Sequence, residues 1–174
     1  MAIWWWSWAP ATLQGLPINW QKNLENLIKP LMAIQFQLAS KELPLILVKA
    51  ELKGKNKSRL VTAIVDTGAT GCVITEEVAK EMEFAHLEVP SEEKSAHGIG
   101  GAIPIEFVRA DEIRLDKAVA KRLRVAVMDM SMIHNQFNLV GISQKRKVEM
   151  ILGFPFFKGR KLTIDYSTRT LSLK

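Results

Sequence analysis

The sequence has little cysteine and no apolar run long enough to cross a membrane. Cys72 is the only cysteine among the 174 residues, so an internal disulfide cannot form and an oxidising compartment has no support. The longest apolar stretches, 31–38 and 43–48, fall well short of the ~20 residues of a membrane-spanning helix. Residues 1–8 have no basic residue before their apolar stretch, unlike a secretory signal. These absences predict a cytoplasmic protein.

Positive charge is in excess overall but is unevenly spread along the chain. The formal net charge is +6. Residues 41–60 carry six Lys or Arg against two Glu, and residues 142–174 carry eight against two acids. Residues 61–141 run the other way, with eight basic and thirteen acidic side chains. Because no aromatic residues alternate with these lysines, as in a groove for single-stranded nucleic acid, the pattern favours a solvated surface and no nucleic-acid partner.

Tryptophan is confined to the start of the chain, at positions 4, 5, 6, 8 and 20. Apolar residues between 17 and 39 then fall near helical spacing, with Pro30 disturbing the middle. We therefore expect residues 1–41 to form an N-terminal extension to a domain at 42–174. The preferred interpretation is a loosely ordered extension. The alternatives are an anchor at a membrane interface, which aromatic amphipathic segments favour, a lid over the domain, or a pro-segment.

The rest of the chain is typical of short strands separated by turn residues. Strands are predicted at 43–53, 59–65, 72–75, 102–108, 112–115, 123–128 and 147–152, with a terminal hairpin at 162–166 and 170–174. Thr75 is suited to cap a brief helix that begins with two glutamates. Many short strands with turn signals between them predict an all-β sandwich or barrel.

The most informative segment is residues 63–74, in which an apolar strand ends at a carboxylate. A glycine-containing turn follows at once, as Asp66-Thr67-Gly68-Ala69-Thr70. Gly68 leaves room for backbone N–H groups to approach the carboxylate, and the hydroxyls of Thr67 and Thr70 can tie the loop down. Because a second apolar strand then returns the chain to the core, we expect Asp66 on a rigid, buried loop.

These residues resemble the retropepsin-like aspartic proteases, and the pattern is most similar to small bacterial single-domain members. The matching segments are Asp66-Thr67-Gly68-Ala69-Thr70, Gly98-Ile99-Gly100-Gly101 about 30 residues later, and Ile151-Leu152-Gly153. The resemblance covers residues 42–174 in the family's order. It implies an all-β, retropepsin-like closed barrel with one or two short helices, forming a single lobe of an aspartic protease.

Two features depart from the family pattern. Pro155 stands where small bacterial members often carry an acidic residue, which affects the start of the last helix and leaves Asp66 alone. Residues 131–147 form an insertion relative to compact viral enzymes, and the sequence does not indicate its role.

The chemistry of this family needs two adjacent carboxylates that share one proton. One acts as general base on a water, and the other donates a hydrogen bond to the peptide carbonyl oxygen. The sequence contains one Asp-Thr-Gly, so the second carboxylate must come from another chain, most simply by two-fold symmetry. We therefore expect an aspartic endopeptidase that is active as a homodimer on peptide or protein substrates, with Asp66 of each chain as the catalytic residue.

The resemblance also implies roles for the neighbouring residues. Thr67 would hydrogen-bond the catalytic loop of the other chain, and Gly68 would donate its N–H to the carboxylate, with Ala69 and Thr70 completing the loop. Residues 98–101 would form the tip of a flap that closes over bound peptide. Residues 151–153 would cross behind the catalytic loop.

Other chemistries find less support in the sequence. The three histidines lack zinc-site spacing and there is one cysteine, so no metal and no other cofactor is predicted. Cys72 is interpreted as a small buried hydrophobe in preference to a redox switch. The alternative function is a catalytically silent binding module with the same fold. The intact Asp66-Thr67-Gly68 favours the enzyme.

Overall fold

A computed structural model of the chain describes residue 17 and residues 33–90, 95–98, 101–139 and 147–174. The chain divides into two compact units, residues 1–31 and 32–174. Apart from Pro17, the first unit lies outside the described residues, so the proposed anchor, lid or pro-segment stays a prediction. Within the described ranges, no helix is long and apolar enough to span a bilayer.

The described part of the second unit consists mainly of strands. Its strands are β1 (Ile34–Gln35), β2 (Gln37–Leu38), β3 (Ile46–Lys53), β4 (Ser58–Val65), β5 (Cys72–Ile74), β6 (Ala85–Leu87), β7 (Ser95–Gly98), β8 (Gly101–Pro104), β9 (Glu106–Leu115), β10 (Ala118–Val127), β11 (Met150–Leu152), β12 (Leu162–Asp165) and β13 (Thr170–Leu173). Its helices are α1 (Glu76–Met82), α2 (Ser131–Leu139) and α3 (Phe154–Phe157). The prediction of an all-β fold with short helices is confirmed.

Six of these strands close into a barrel. Neighbours pair in the order β3–β4–β11–β5–β10–β9, and β9 pairs back onto β3 with Glu51 opposite Arg114 and Lys53 opposite Glu112. Closure removes the free edges that an open sheet would expose. Charges alternate along the closing seam, where Arg114 bonds Glu112 at 2.7 Å and lies 3.6 Å from Glu51. The predicted closed barrel is confirmed.

Alternate residues of the strands fill the barrel interior, as the two-residue period of a strand requires. On β4, Val61 and Ala63 are completely buried in this interior cluster. Phe156 of α3 contributes one of the largest fully buried side chains. Burying each such apolar side chain stabilises the fold by about 1.5–3 kcal/mol.

A second apolar cluster lies on the outer face of β3 and β4. Leu47 and Ile64 are opposite each other in the sheet and pack with Ala39, Met130, Phe137 and Val148. The His134 Nε2 atom lies 2.7 Å from the carbonyl oxygen of Val148, which ties α2 to the chain leading into β11. The described part of the insertion at 131–147 therefore covers an apolar sheet face.

Residues 34–38 form the short strands β1 and β2, although their apolar residues fall near helical spacing. Ile34 pairs with Leu171 of β13, and Gln37 pairs with Leu47 of β3. Phe36 between them is 3% exposed and belongs to the interior cluster. Strand pairing with distant segments outweighs the local apolar spacing here. The hairpin predicted near the C-terminus is present as β12 and β13.

Candidate active site

Asp66 is the first residue after β4, on the loop that leads to β5. β11 lies between these two strands, parallel to β4 and antiparallel to β5. The Asp66 N–H extends the pairing by donating to the Leu152 carbonyl oxygen at 3.0 Å. The loop thus leaves the sheet from a position that two sets of strand hydrogen bonds hold in place.

The loop backbone holds one oxygen of the Asp66 carboxylate. The N–H groups of Gly68 and Ala69 donate to Asp66 Oδ1 at 3.0 and 3.2 Å. Among the described residues, no hydrogen bond or ion pair reaches Oδ2. Two backbone N–H groups that converge on one carboxylate oxygen restrict the rotation of the carboxylate. One oxygen is therefore fixed, and the other remains available to a reacting group.

The expectation that this loop is buried is wrong for the single chain. Asp66, Thr67, Gly68 and Thr70 are exposed, and Ala69 is half-buried. The hydrogen bonds that hold the loop come from its own backbone and from the β11 side, and they leave its other side open. The loop is well tethered and solvent-accessible.

Gly153 determines how closely β11 and the catalytic loop can approach. A Cβ added at Gly153 would lie 1.9 Å from the Gly71 carbonyl oxygen and 2.9 Å from that of Ala69. By contrast, a Cβ at Gly68 would lie 3.4 Å from Asp66 Oδ1, an ordinary contact. The steric need for glycine that was predicted at Gly68 is therefore found at Gly153.

The segment after β11 completes the tether. The Phe154 N–H donates to the Ala69 carbonyl oxygen at 2.8 Å, and the Gly153 N–H lies 3.4 Å from Cys72 Sγ. Cys72 is completely buried, and this burial raises the pKa of its thiol. The three residues singled out as the crossing segment, Ile151, Leu152 and Gly153, thus lie directly behind the loop.

An open groove of about 740 Å³ begins at Asp66. Besides the catalytic loop, it is lined by Cys72, Val73, Ile105, Phe107, Leu123, Arg124, Ala126, Met128, Ile151 and Pro155. Most of these side chains are apolar, and among the described lining residues Asp66 is the one acid and Arg124 the one base. An apolar cleft with a few placed polar groups is the usual form of a ligand site.

The predicted flap segment is described only in part. β7 and β8 pair as a hairpin with Gly98 opposite Gly101, whereas Ile99 and Gly100 lie outside the described residues. Ile105, immediately after β8, lines the groove. The end of the hairpin therefore leads directly into the groove wall, and its role as a flap stays a prediction.

Sequence reasoning missed one wall of the groove. Phe107 lies near the start of β9, and Leu123 and Arg124 lie in the middle of β10. No local motif distinguishes them from other strand residues. Pro155, which departs from the family pattern, is a further case. It occupies the first turn of α3, where proline is well tolerated, and it also lines the groove.

Comparison with known proteins adds three kinds of finding. A family model described as aspartyl protease matches residues 48–156. Among solved structures, a retropepsin-like aspartic protease from Rickettsia conorii is 15% identical, with 82% of this chain and 90% of that chain covered and a TM-score of 0.45. EIAV protease complexed with the inhibitor HBY-793 is 16% identical, with coverage of 68% and 91% and a TM-score of 0.46. The retroviral protease-like domain of Ddi1 from Leishmania major is 14% identical, with coverage of 75% and 94% and a TM-score of 0.45. No curated protein sequence matches the chain.

Proposed function

We propose, because the chain belongs to the aspartyl protease family, that it is an endopeptidase whose catalytic dyad forms when Asp66 of one copy meets Asp66 of a second. The family resemblance indicated by the sequence motifs is confirmed. One observation carries the proposal. The Asp66 carboxylate is exposed at the head of a mainly apolar groove, with one oxygen held by two backbone N–H groups.

The geometry of the loop suits a carboxylate that must hold its position while a proton moves. In a pair of adjacent carboxylates, the charged member takes a proton from water as that water attacks the peptide carbonyl carbon. The protonated member donates a hydrogen bond to the carbonyl oxygen, where negative charge develops. The N–H groups of Gly68 and Ala69 fix Oδ1 of Asp66, so Oδ2 is the oxygen we assign to the water or the substrate.

We infer that a second copy is needed because the described lining of the groove holds no second acid. Among the described lining residues, Asp66 is the only carboxylate. Thr67, the next residue, is exposed, on the open side of the loop. Two copies related by a two-fold axis through this side would bring their Asp66 side chains together and place each Thr67 beside the opposite loop.

The groove favours an extended peptide with apolar side chains near the cleaved bond. Val73, Met128 and Ile151 line it together with Asp66. Removing the apolar surface of a peptide side chain from water contributes roughly 25 cal/mol per Å² before the costs of association. An apolar residue beside the scissile bond is therefore the first substrate feature to test.

The direct experiment compares wild type, Asp66→Asn and Asp116→Asn on a peptide library at pH 4–7. Asp116 lies in the turn between β9 and β10 with φ 54, a conformation that asparagine also tolerates. We expect cleavage by wild type and by Asp116→Asn, and none by Asp66→Asn. Cleavage by Asp66→Asn at the wild-type rate would refute the assignment of the catalytic residue.

Mixing wild-type and Asp66→Asn chains in equal amounts tests the dyad. If chains exchange freely, about one quarter of the dimers keep two intact carboxylates, so activity should fall to about a quarter of that of wild type alone at the same total chain concentration. A fall to one half would indicate that each chain acts alone. A stable wild-type dimer that binds peptides and cleaves none would instead favour the binding module.

A further inference from the structure

Phe154 places a large apolar ring on the protein surface next to the catalytic loop. It is the first residue of α3 and is 53% exposed, whereas Phe156 and Phe157 of the same helix are buried. The single chain therefore forgoes part of the free energy that burial of this ring would contribute. Because single exposed apolar residues are common on protein surfaces, the position of Phe154 decides whether its exposure matters.

The backbone holds Phe154 two hydrogen bonds away from the Asp66 carboxylate. The Phe154 N–H donates to the Ala69 carbonyl oxygen at 2.8 Å, and the Ala69 N–H donates to Asp66 Oδ1 at 3.2 Å. Thr67 and Thr70 of the same loop are exposed. The exposed ring therefore adds an apolar group to the surface beside the catalytic carboxylate.

The groove that begins at Asp66 does not account for this ring. Pro155, the next residue along the chain, lines the groove, whereas Phe154 is absent from its described lining. A peptide that fills the described part of the groove would therefore leave the Phe154 ring in contact with water. Another macromolecular surface is needed to cover it.

We propose that Phe154 is a main apolar contact between the two copies whose Asp66 side chains form the dyad. The inference rests on the proposed function and deepens it by naming a residue whose burial stabilises the association. A standard interface removes about 800 Å² from each partner, which corresponds to a disc of roughly 16 Å radius. A disc of that size centred on Asp66 extends well beyond the two hydrogen bonds that connect it to Phe154.

The chemistry of Phe154 suits such a contact. Phenylalanine is enriched in the cores of protein interfaces, where a few large side chains contribute most of the binding energy. The Phe154 backbone is already fixed by its bond to Ala69, so little backbone freedom is lost when a partner covers the ring. The same bond couples the position of the ring to the loop that carries Asp66.

The test measures the dimer dissociation constant by analytical ultracentrifugation of the full chain. Phe154→Ala should raise this constant by about tenfold or more, as for an alanine substitution at the centre of an interface. Leu60→Ala is the matched control, because Leu60 is 62% exposed and lies on β4 about 20 Å along the strand from Asp66. It should leave the constant within about threefold of wild type. Circular dichroism should show that both variants are folded.

Equal dissociation constants for wild type and a folded Phe154→Ala chain would overturn the inference. A wild-type chain that stays monomeric up to about 0.5 mM would overturn it together with the dyad.

Photocrosslinking identifies what covers the ring. With p-benzoylphenylalanine in place of Phe154, irradiation should yield an adduct with the mass of two chains, and the same probe in place of Leu60 should yield none. An adduct with the mass of one chain, formed within residues 1–31, would show that this segment covers the ring and would overturn the inference.

Peptide cleavage separates the inference from the proposed function. The activity of Phe154→Ala per chain should be low in dilute solution and should return to the wild-type value above its raised dissociation constant. Activity that stays low in a fully dimeric Phe154→Ala sample would overturn the association role and leave Asp66 as the assigned catalytic residue. A dimer that depends on Phe154 and cleaves no peptide would sustain the contact and overturn the peptidase.

Discussion

Replacing Gly153 by alanine is expected to push the catalytic loop away from β11. The added Cβ would lie 1.9 Å from the Gly71 carbonyl oxygen and 2.6 Å from its carbonyl carbon. Both are backbone atoms, so no side-chain rotation can relieve the clash. An ordinary contact begins at 3.4 Å, so the two segments must separate by about 1.5 Å.

The energetic cost follows from what that separation breaks. The Asp66 N–H bond to Leu152 and the Phe154 N–H bond to Ala69 are 3.0 and 2.8 Å long, and each contributes about 0.5–1.5 kcal/mol. Overpacking strain adds about 1–3 kcal/mol. We expect a loss of about 4 kcal/mol in the free energy of unfolding. For a domain of this size the melting temperature should fall by roughly 8–16 °C.

Thermal unfolding followed by circular dichroism measures this loss, with Gly71→Ala as the control. Gly71 lies in the same loop, and a Cβ added there meets nothing within 4 Å. That variant should change stability by less than about 1 kcal/mol. If Gly153→Ala melts within about 2 °C of wild type, the close approach of β11 and the loop does not constrain the fold as argued.

Three further predictions concern other parts of the domain. Thr75 Oγ1 accepts a hydrogen bond from the Val78 N–H at the start of α1, so Thr75→Ala should lower the unfolding free energy by about 1 kcal/mol in urea titration, whereas Thr75→Ser should not. Hydrogen bonds from Ser167 and Thr168 lower the pKa of Asp165 to about 2. The stability that they contribute is complete above about pH 4 and is lost towards pH 2. The melting temperature of Asp165→Asn should therefore depend less on pH across that interval than the melting temperature of wild type. Because Cys72 is buried with a raised pKa, a thiol reagent should label it in urea and not in the native protein.

Local sequence patterns predicted the strands in which apolar and polar side chains alternate, and the helix that begins at a capping residue. β4 and β5 lie close to their predicted positions, and Thr75 caps α1 as expected. β9 and β10 are single long strands, but the sequence predicted only shorter pieces of them. Asp111 of β9 and Arg122 of β10 have no partner in the pairing of these two strands. This irregularity interrupts the alternation of apolar and polar residues along each strand. α2 was not predicted, since Phe137 is its one buried side chain among the described residues.

Some residues of the candidate site were likewise predictable from local sequence, and others were not. Asp66, its turn and Gly153 are recognisable as a motif, because backbone turns and close approaches select particular residues locally. The open side of the loop and the groove wall at Phe107 and Arg124 could not be predicted. They depend on which strands become neighbours when the barrel closes.

The amino-acid sequence alone determined that each chain carries one Asp-Thr-Gly, and the proposed need for a second copy follows from that count. Tertiary structure decided that Gly153 lies against the loop carbonyls and that Arg124 shares a groove with Asp66. The physical reason is that side-chain period and turn chemistry act over a few residues, whereas strand register across a closed barrel is set by all of its strands together.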